Sequence, residues 1–283
     1  MSKIGDNWFI ENDEDCYALG LNKTKDLHRV KSEYQLLEVF HAQEFGNVMT
    51  LDGRVMITDS DEFVYHELIA HIPALLHDSP KKALVIGGGD GGTVRELLKH
   101  KSIEKITLCE IDGEVVEAAK KYFPSVSCGF NDPRVDVIIG DGIEYVKNHK
   151  KNAVDLLVID STDPIGPGEG LFTTEFYREA ATILSERGLM VCQSESPWYE
   201  SEFLNRVRKN LSGGFGFMYP YVGNIPTYPR GFWSWTIASN HPVDIKKPNK
   251  EVFREFEDSL RYLTEDLITA CFAIPKFYAD KLR

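Results

Sequence analysis

No stretch constrains this chain more than Ala83-Leu84-Val85-Ile86 followed at once by Gly87-Gly88-Gly89-Asp90-Gly91-Gly92. A short apolar run ends in a glycine-rich turn, and a helical pattern, Thr93-Val94-Arg95-Glu96-Leu97-Leu98, begins directly after it. Read as strand, turn and helix, the stretch sets Gly87, Gly89 and Gly92 at G-x-G-x-x-G spacing. Such glycines allow a tight turn and let a ligand approach the backbone closely. Asp90 is the unusual residue. A helix N-terminus favours anionic ligands, and an acid placed there changes which ligand is welcome.

Downstream of this unit the pattern alternates. Strands are expected at 83–87, 105–110, 135–139, 154–160 and 188–194, with helices near 92–99, 112–121, 142–148 and 173–185. Alternation of this kind predicts right-handed βαβ units and a mostly parallel sheet covered on both faces. After residue 200 come a further helix and two apolar strands near 214–222 and 231–239, read as an antiparallel hairpin completing the sheet edge. Helical patterns follow at 249–261 and near 264–282, the second interrupted at Pro275.

Upstream, the stretch from Trp8 to about Thr58 reads as short strands. Val30 to Phe40 is rich in β-branched and aromatic residues, and Gly46-Asn47 and Asp52-Gly53 are hairpin signals. A helix is expected to start at Ser60-Asp61-Glu62 and to run through Ile72, carrying Tyr65 and His66. The division expected is a small antiparallel β domain over 1–58 and a Rossmann-like α/β domain over 59–283.

Composition narrows the function. With 283 residues, 42% hydrophobic and 27% charged, the chain is that of an ordinary globular protein. A net charge of -12 argues against a phosphate-backbone partner, so no nucleic acid is expected. Five scattered cysteines without metal-ligand spacing read as reduced thiols, with Cys109 and Cys192 inside buried strands. No apolar run reaches membrane-spanning length and the polar start is unlike a signal peptide, so a cytoplasmic protein is expected, with no membrane partner.

In an open α/β sheet the ligand site lies beyond the carboxyl ends of the strands, and here those ends carry a row of acids: Asp90, Glu110, Asp141 before Gly142, and Asp160 with Asp163. Glu110 stands eighteen residues after Gly92, where a carboxylate accepts hydrogen bonds from a ribose diol. That pairing is shared by nicotinamide enzymes and sulfonium-dependent transferases. Asp141-Gly142 after the third strand suits an adenine amine and favours a bound nucleoside. Asp160 follows an apolar strand and belongs at the inner edge of the cleft, while Pro164 and Gly166-Pro167-Gly168 force a wide loop. Asp160 and Asp163 can then face one cavity. Read as an ordinary carboxylate with pKa ~4, Asp160 is a poor base. His66, His71 and His77 lack metal spacing, and no metal site is expected.

Gly-Gly-Gly-Asp-Gly-Gly at 87–92, Asp61-Glu62-Phe63-Val64-Tyr65-His66-Glu67 and Asp160-Ser161-Thr162-Asp163-Pro164 together resemble the spermidine synthases, the polyamine aminopropyltransferase family. The likeness continues in Tyr34-Gln35, Gln193-Ser194-Glu195-Ser196-Pro197-Trp198, Tyr228-Pro229-Arg230-Gly231 and Ala273 to Phe277. The resemblance implies a methyltransferase-type Rossmann domain behind a small β domain. It also implies transfer of the aminopropyl group of decarboxylated S-adenosylmethionine to putrescine, without cofactor or metal. By position it implies that Gln35, Gly87, Gly89, Glu110, Asp141, Gly142 and Pro167 hold the nucleoside and that Asp90 binds the aminopropyl ammonium. His66, Asp163, Gln193 and Tyr228 would bind the acceptor amine, with Tyr65 supporting Asp160 as proton acceptor. A homodimer or homotetramer is implied as well. Rival readings are a relative acting on cadaverine, agmatine or spermidine, and a putrescine N-methyltransferase; Asp90 and the double-aspartate loop count against the latter. Arg230, where many relatives have a small residue, is expected to point outward.

Overall fold

A computed structural model describes residues 5, 7–13, 17–162, 166–199 and 201–282, the side chains of 166, 167 and 201–204 excepted. Asp163 and the side chain of Pro167 lie outside the described residues.

The N-terminal stretch forms an antiparallel meander of β1 (Trp8–Asp13), β2 (Tyr17–Lys31), β3 (Leu36–Ala42), β4 (Gly46–Leu51) and β5 (Arg54–Thr58). The Asp52-Gly53 signal is a two-residue hairpin with φ of 47° and 78°, the left-handed pair that matches strand twist. Val30 to Phe40 spans the end of β2 and the start of β3. Ser32 breaks it: its Oγ accepts the amides of Tyr34 and Gln35 at 3.1 Å each, and the chain turns before β3. A local side-chain acceptor here outcompetes the ladder.

The helix α1 (Glu62–Leu76) passes through Pro73 and extends a turn beyond expectation. Asp61 precedes it without capping it; its carboxylate instead accepts Thr58 Oγ1 at 2.6 Å and the Thr227 amide and hydroxyl at 3.0 and 2.7 Å. Strands and helices then alternate as β6 (Lys82–Gly87), α2 (Gly92–Leu97), β7 (Lys105–Glu110), α3 (Gly113–Tyr122), β8 (Val135–Ile139), α4 (Gly142–Asn148), β9 (Val154–Asp160), α5 (Thr174–Ile183) and β10 (Leu184–Gln193). After α6 (Ser201–Ser212) the hairpin β11 (Phe217–Gly223) and β12 (Trp233–Ser239) completes the sheet. Its order is β11-β12-β10-β9-β6-β7-β8, with β12 antiparallel to β10 and β6 to β10 all parallel.

Strand periodicity explains the two layers. Along β6, Ala83 and Val85 face a core shared with Leu68, Ile72, Val94 and Leu97, whereas Leu84 and Ile86 face one shared with Phe176, Tyr177 and Ile183. A run apolar on both faces is what a central parallel strand requires. Helix α3 does a different job: Val115, Ala118 and Phe123 pack on Leu37, Val39 and Met49, docking the N-terminal sheet over the end of the large one.

The C-terminal region departs from expectation. It breaks into α7 (Lys250–Arg254), a 3₁₀ turn, α8 (Leu267–Ala270) and α9 (Lys276–Lys281). The stretch between the two expected helices is held by a tertiary contact, and the second expected helix is interrupted at Pro275 as read from the sequence. The buried Glu67 carboxylate accepts the amides of Arg261, Tyr262 and Leu263 at 2.7, 3.0 and 2.8 Å, donors that a continuous helix would use internally. Among the described residues no helix is long and apolar enough to cross a membrane.

Candidate active site

Connections from β6 run outward through β7 to β8, and the chain then returns to place β9 on the other side of β6. The crevice at such a switch point is where open α/β sheets bind ligands. A cleft of about 930 Å³ opens there, and Asp90, Glu110, Asp141 and Asp160 all line it. Gln35, Gly87, Gly89 and Gly142 line it as well, as do Tyr65, His66 and Tyr228. Gln193 lies beside it, in an adjoining cavity of about 380 Å³ that shares Tyr65 and Tyr228.

The glycine turn is shaped as much by the protein's own side chains as by a ligand. Gly87 pairs with Asp160 across β6 and β9 at φ of 81°, and a Cβ there would stand 2.2 Å from the Asp160 carbonyl oxygen. A Cβ on Gly92 would stand 2.2 Å from His66 Nδ1. The third glycine of the motif thus leaves room for an imidazole.

That imidazole is held at both nitrogens. Its Nδ1 is 2.6 Å from Glu62 Oε2 and its Nε2 is 3.1 Å from Asp90 Oδ1. Burial alone would lower the pKa of His66, but the Asp90 and Glu62 carboxylates outweigh it and hold the ring charged, with a pKa of about 10. His66 therefore stands behind Asp90 with no nitrogen spare for an amine, because a buried imidazolium needs both its N–H groups accepted. Asp90 also accepts the Gly92 amide at 2.7 Å. Burial opposes its ionisation, yet His66 and that amide keep it a carboxylate.

Asp160 is buried, and its Oδ2 accepts Thr93 Oγ1 at 2.6 Å. Burial, and next the negative charge of Asp90, raise its pKa above the ordinary value, only partly offset by His66, Thr93 and Tyr65. Desolvation beside a like charge makes Asp160 a stronger base than an ordinary carboxylate. Burial and the facing Asp160 push the Tyr65 hydroxyl far above its usual range, so it stays a donor.

At the ends of β6 and β7, Glu110 accepts the amides of Asp112 and Gly89 at 2.9 and 3.2 Å, and burial raises its pKa to about 7. Gln35 reaches in from the β2–β3 turn and donates to Asp112 Oδ2 at 2.9 Å. Asp141 caps α4 through the Ile143 amide at 2.8 Å, so turn chemistry and cleft position coincide in one residue.

The adjoining cavity is walled by aromatic rings. Tyr65 and Tyr228 stand 5.8 Å apart and Tyr228 and Trp233 4.9 Å, and the Tyr228 hydroxyl donates to the Met56 carbonyl at 2.9 Å. Gln193 is fixed by accepting the Glu195 amide at 2.9 Å. Arg230 donates to the Trp198 carbonyl at 3.2 Å and lies over Tyr199, outside the lining of either cavity.

Sequence reading missed Glu11, Glu62, Thr93 and Arg95. Glu62 was detectable as the residue four before His66 on one helix face. Glu11 was not: it lies in β1, far along the chain, and only the docking of the two sheets brings it to line the adjoining cavity. The other histidines have structural partners, His71 with Glu96 and His100, and His77 with the Ser79 amide. Among the described residues no group of three His, Cys, Asp or Glu side chains could hold a metal ion.

Comparison with known proteins agrees with this geometry. Residues 62–247 match the spermine/spermidine synthase domain, and residues 7–59 match the spermidine synthase tetramerisation domain. A polyamine aminopropyltransferase of Desulforudis audaxviator is 44% identical over 98% of this chain and 99% of its own. A spermidine synthase crystallised with the transition-state analogue AdoDATO superposes at TM-score 0.93 with 41% identity, over 100% of this chain and 96% of that one. Spermidine synthase from Thermotoga maritima superposes at 0.91 with 42% identity, covering 97% and 94%. The parallel sheet, the acid-lined switch point and the match along the whole chain make this protein a member of the spermine/spermidine synthase family, the polyamine aminopropyltransferases.

Proposed function

We propose that this aminopropyltransferase moves the aminopropyl group of decarboxylated S-adenosylmethionine to putrescine, giving spermidine, 5′-methylthioadenosine and a proton. What carries the reading is the convergence of Asp90, Glu110, Asp141 and Asp160 on one cleft that continues into an aromatic side cavity. Glu110 accepts the ribose hydroxyls and Asp141 the adenine amine, with Gln35, Gly89 and Gly142 along the same wall and Pro167 assigned to the nucleoside as well. Asp90 receives the donor's ammonium. The ordinary methyl donor carries a carboxylate beside that ammonium, and Asp90 disfavours it by like-charge repulsion.

The acceptor lies between Tyr65 and Tyr228, whose ring faces attract an ammonium. Gln193 and Asp163 are assigned to the same amine, with His66 acting through Asp90. Glu11 at the far wall gives the second ammonium a carboxylate neighbour. Holding one amine neutral at pH 7 costs about 4–5 kcal/mol, taking lysine's pKa of ~10.4 as a guide. Asp160 meets part of that cost. As the amine lone pair attacks the CH₂ and the C–S bond electrons return to sulfur, the nitrogen's proton passes to Asp160 and then to solvent. The remainder is alignment of the nitrogen with the CH₂–S⁺ bond. No cofactor or metal takes part in this scheme. The division at residue 58, a homodimer or homotetramer built through the N-terminal strands, and a cytoplasmic location belong to the same proposal.

Product analysis with putrescine, cadaverine, agmatine and spermidine tests it, run beside calorimetry with both sulfonium compounds. Spermidine as the main product and tighter binding of the decarboxylated donor are expected. Preference for the carboxylated donor, or for a longer amine, would overturn the reading.

A further inference from the structure

Behind Asp90 lies a chain of buried charges that the reaction scheme leaves unused. His66 joins Asp90 to Glu62. Glu62 is gripped by Arg95 through both its oxygens, at 3.0 and 2.9 Å. Arg95 is itself seated by Glu96 at 2.7 Å, and Glu96 by Lys99 and His71. Glu62, His66 and Glu96 are all at most 8% exposed. Two helices supply most of the array, α1 giving Glu62, His66 and His71, and α2 giving Arg95 and Glu96, with Lys99 just past its end. Gly92 starts α2 where a larger residue would expel the ring.

We infer that Glu62 is a positioning residue: anchored by Arg95, it fixes His66 as a two-donor imidazolium that aims the Asp90 carboxylate at a cationic donor. Alternation of charge accounts for the arrangement. Arg95 and His66 each stand between two carboxylates, so every buried acid has a cationic neighbour and the array needs no counter-ion from solvent. Oδ1 of Asp90 is committed to His66 and to the Gly92 amide, while the residue lines the cleft. The ionisable groups facing His66 are Glu62 on its own helix, Asp90 on the glycine turn, Arg95 on α2, Asp160 at the end of β9 and the adjacent Tyr65. Removing the Glu62 charge leaves Asp90 as the ring's only direct carboxylate partner. This inference rests on the reading that Asp90 meets the donor's ammonium, but the state of His66 is measurable without any substrate.

The experiment is ¹⁵N NMR of the histidine rings in the free full-length protein from pH 5 to 9.5, with His66 assigned by the signal lost in His66→Asn. In the unaltered protein His66 is expected to show both nitrogens protonated from pH 5 to about 8.5, with deprotonation beginning only at the alkaline end of the range. An ordinary titration near neutrality would overturn the inference without any variant. In Glu62→Gln the ring is expected to titrate within the range, and the donor KM to rise on the order of tenfold on the alkaline side, the loss expected of one charge-assisted hydrogen bond. With saturating donor, kcat should change much less. A Glu62→Gln protein that keeps the unaltered His66 signal and a flat donor KM would overturn it too. Arg95→Lys provides a second variant, keeping the charge but losing the two-pronged grip, with a smaller shift in the same direction. If His66 behaves as expected while the unaltered protein binds no sulfonium donor, the function reading fails and the electrostatic role of Glu62 stands.

Discussion

Asp160 shows how much one side chain owes to its neighbours. From sequence it is a strand-end carboxylate; in the structure burial and the Asp90 charge raise its pKa, while Thr93 and Tyr65 orient it. Asp160→Asn is expected to cut turnover by roughly 10²-fold or more, the scale of lost general-base catalysis, with donor affinity within about twofold by calorimetry. Unchanged turnover would remove Asp160 from its role. Glu110 makes a separate, thermodynamic prediction. Its pKa stands at about 7 in the folded protein against 4.5 for a free glutamate, so the folded chain holds a proton that the unfolded chain has lost. Its contribution to stability is fully present below about pH 4.5 and is lost as pH rises through about 7, worth about 3 kcal/mol. Urea unfolding of the ligand-free protein should show that decline, and Glu110→Gln should flatten it. None of this could be read from the motif, because a pKa depends on what surrounds the group.

At the scale of elements, α1 is the organiser. One helix supplies Glu62 and His66 to the charge array, Tyr65 to the aromatic side cavity and Glu67 to the clamp on residues 261–263. Glu67→Ala leaves three backbone donors short of their acceptor and is expected to cost about 3 kcal/mol or more. Thermal unfolding and faster proteolysis near residue 261 would register the loss, and an unchanged midpoint would show that the clamp is dispensable. Gly92→Ala tests the other face of the same helix. Its methyl group would overlap His66, so a loss of about 1–3 kcal/mol from overpacking is expected, with donor affinity falling alongside. Strands β6 to β9 were legible within a residue or so because a doubly covered parallel strand leaves a long apolar run. The C-terminal helices were legible only in part: the break at Pro275 could be read, but the shortening of each expected span to a turn or two could not.

At the scale of the molecule, the acidity noted first becomes concrete: a chain of net charge -12 concentrates carboxylates at a cleft suited to cations. A negative field raises the local concentration of cationic substrates and is screened by salt. Raising ionic strength from about 0.05 to 0.5 M, a span over which the screening length falls several-fold, should therefore lower kcat/KM for the diamine several-fold, with kcat little changed. A flat response would assign the acidity to solubility alone.

The sequence by itself determined the α/β class, the glycine turn, the four strand-end acids and the family. These follow from short-range rules: period-two and helical patterning, turn chemistry, and residues whose spacing along a strand–turn–helix unit leaves little freedom. Only the tertiary structure decided that Glu11 reaches the aromatic side cavity, that His66 is an imidazolium held between Glu62 and Asp90, and that Asp160 and Glu110 are raised in pKa. Each of those is set by contacts between elements and by removal of water, and neither is encoded in any one stretch of chain.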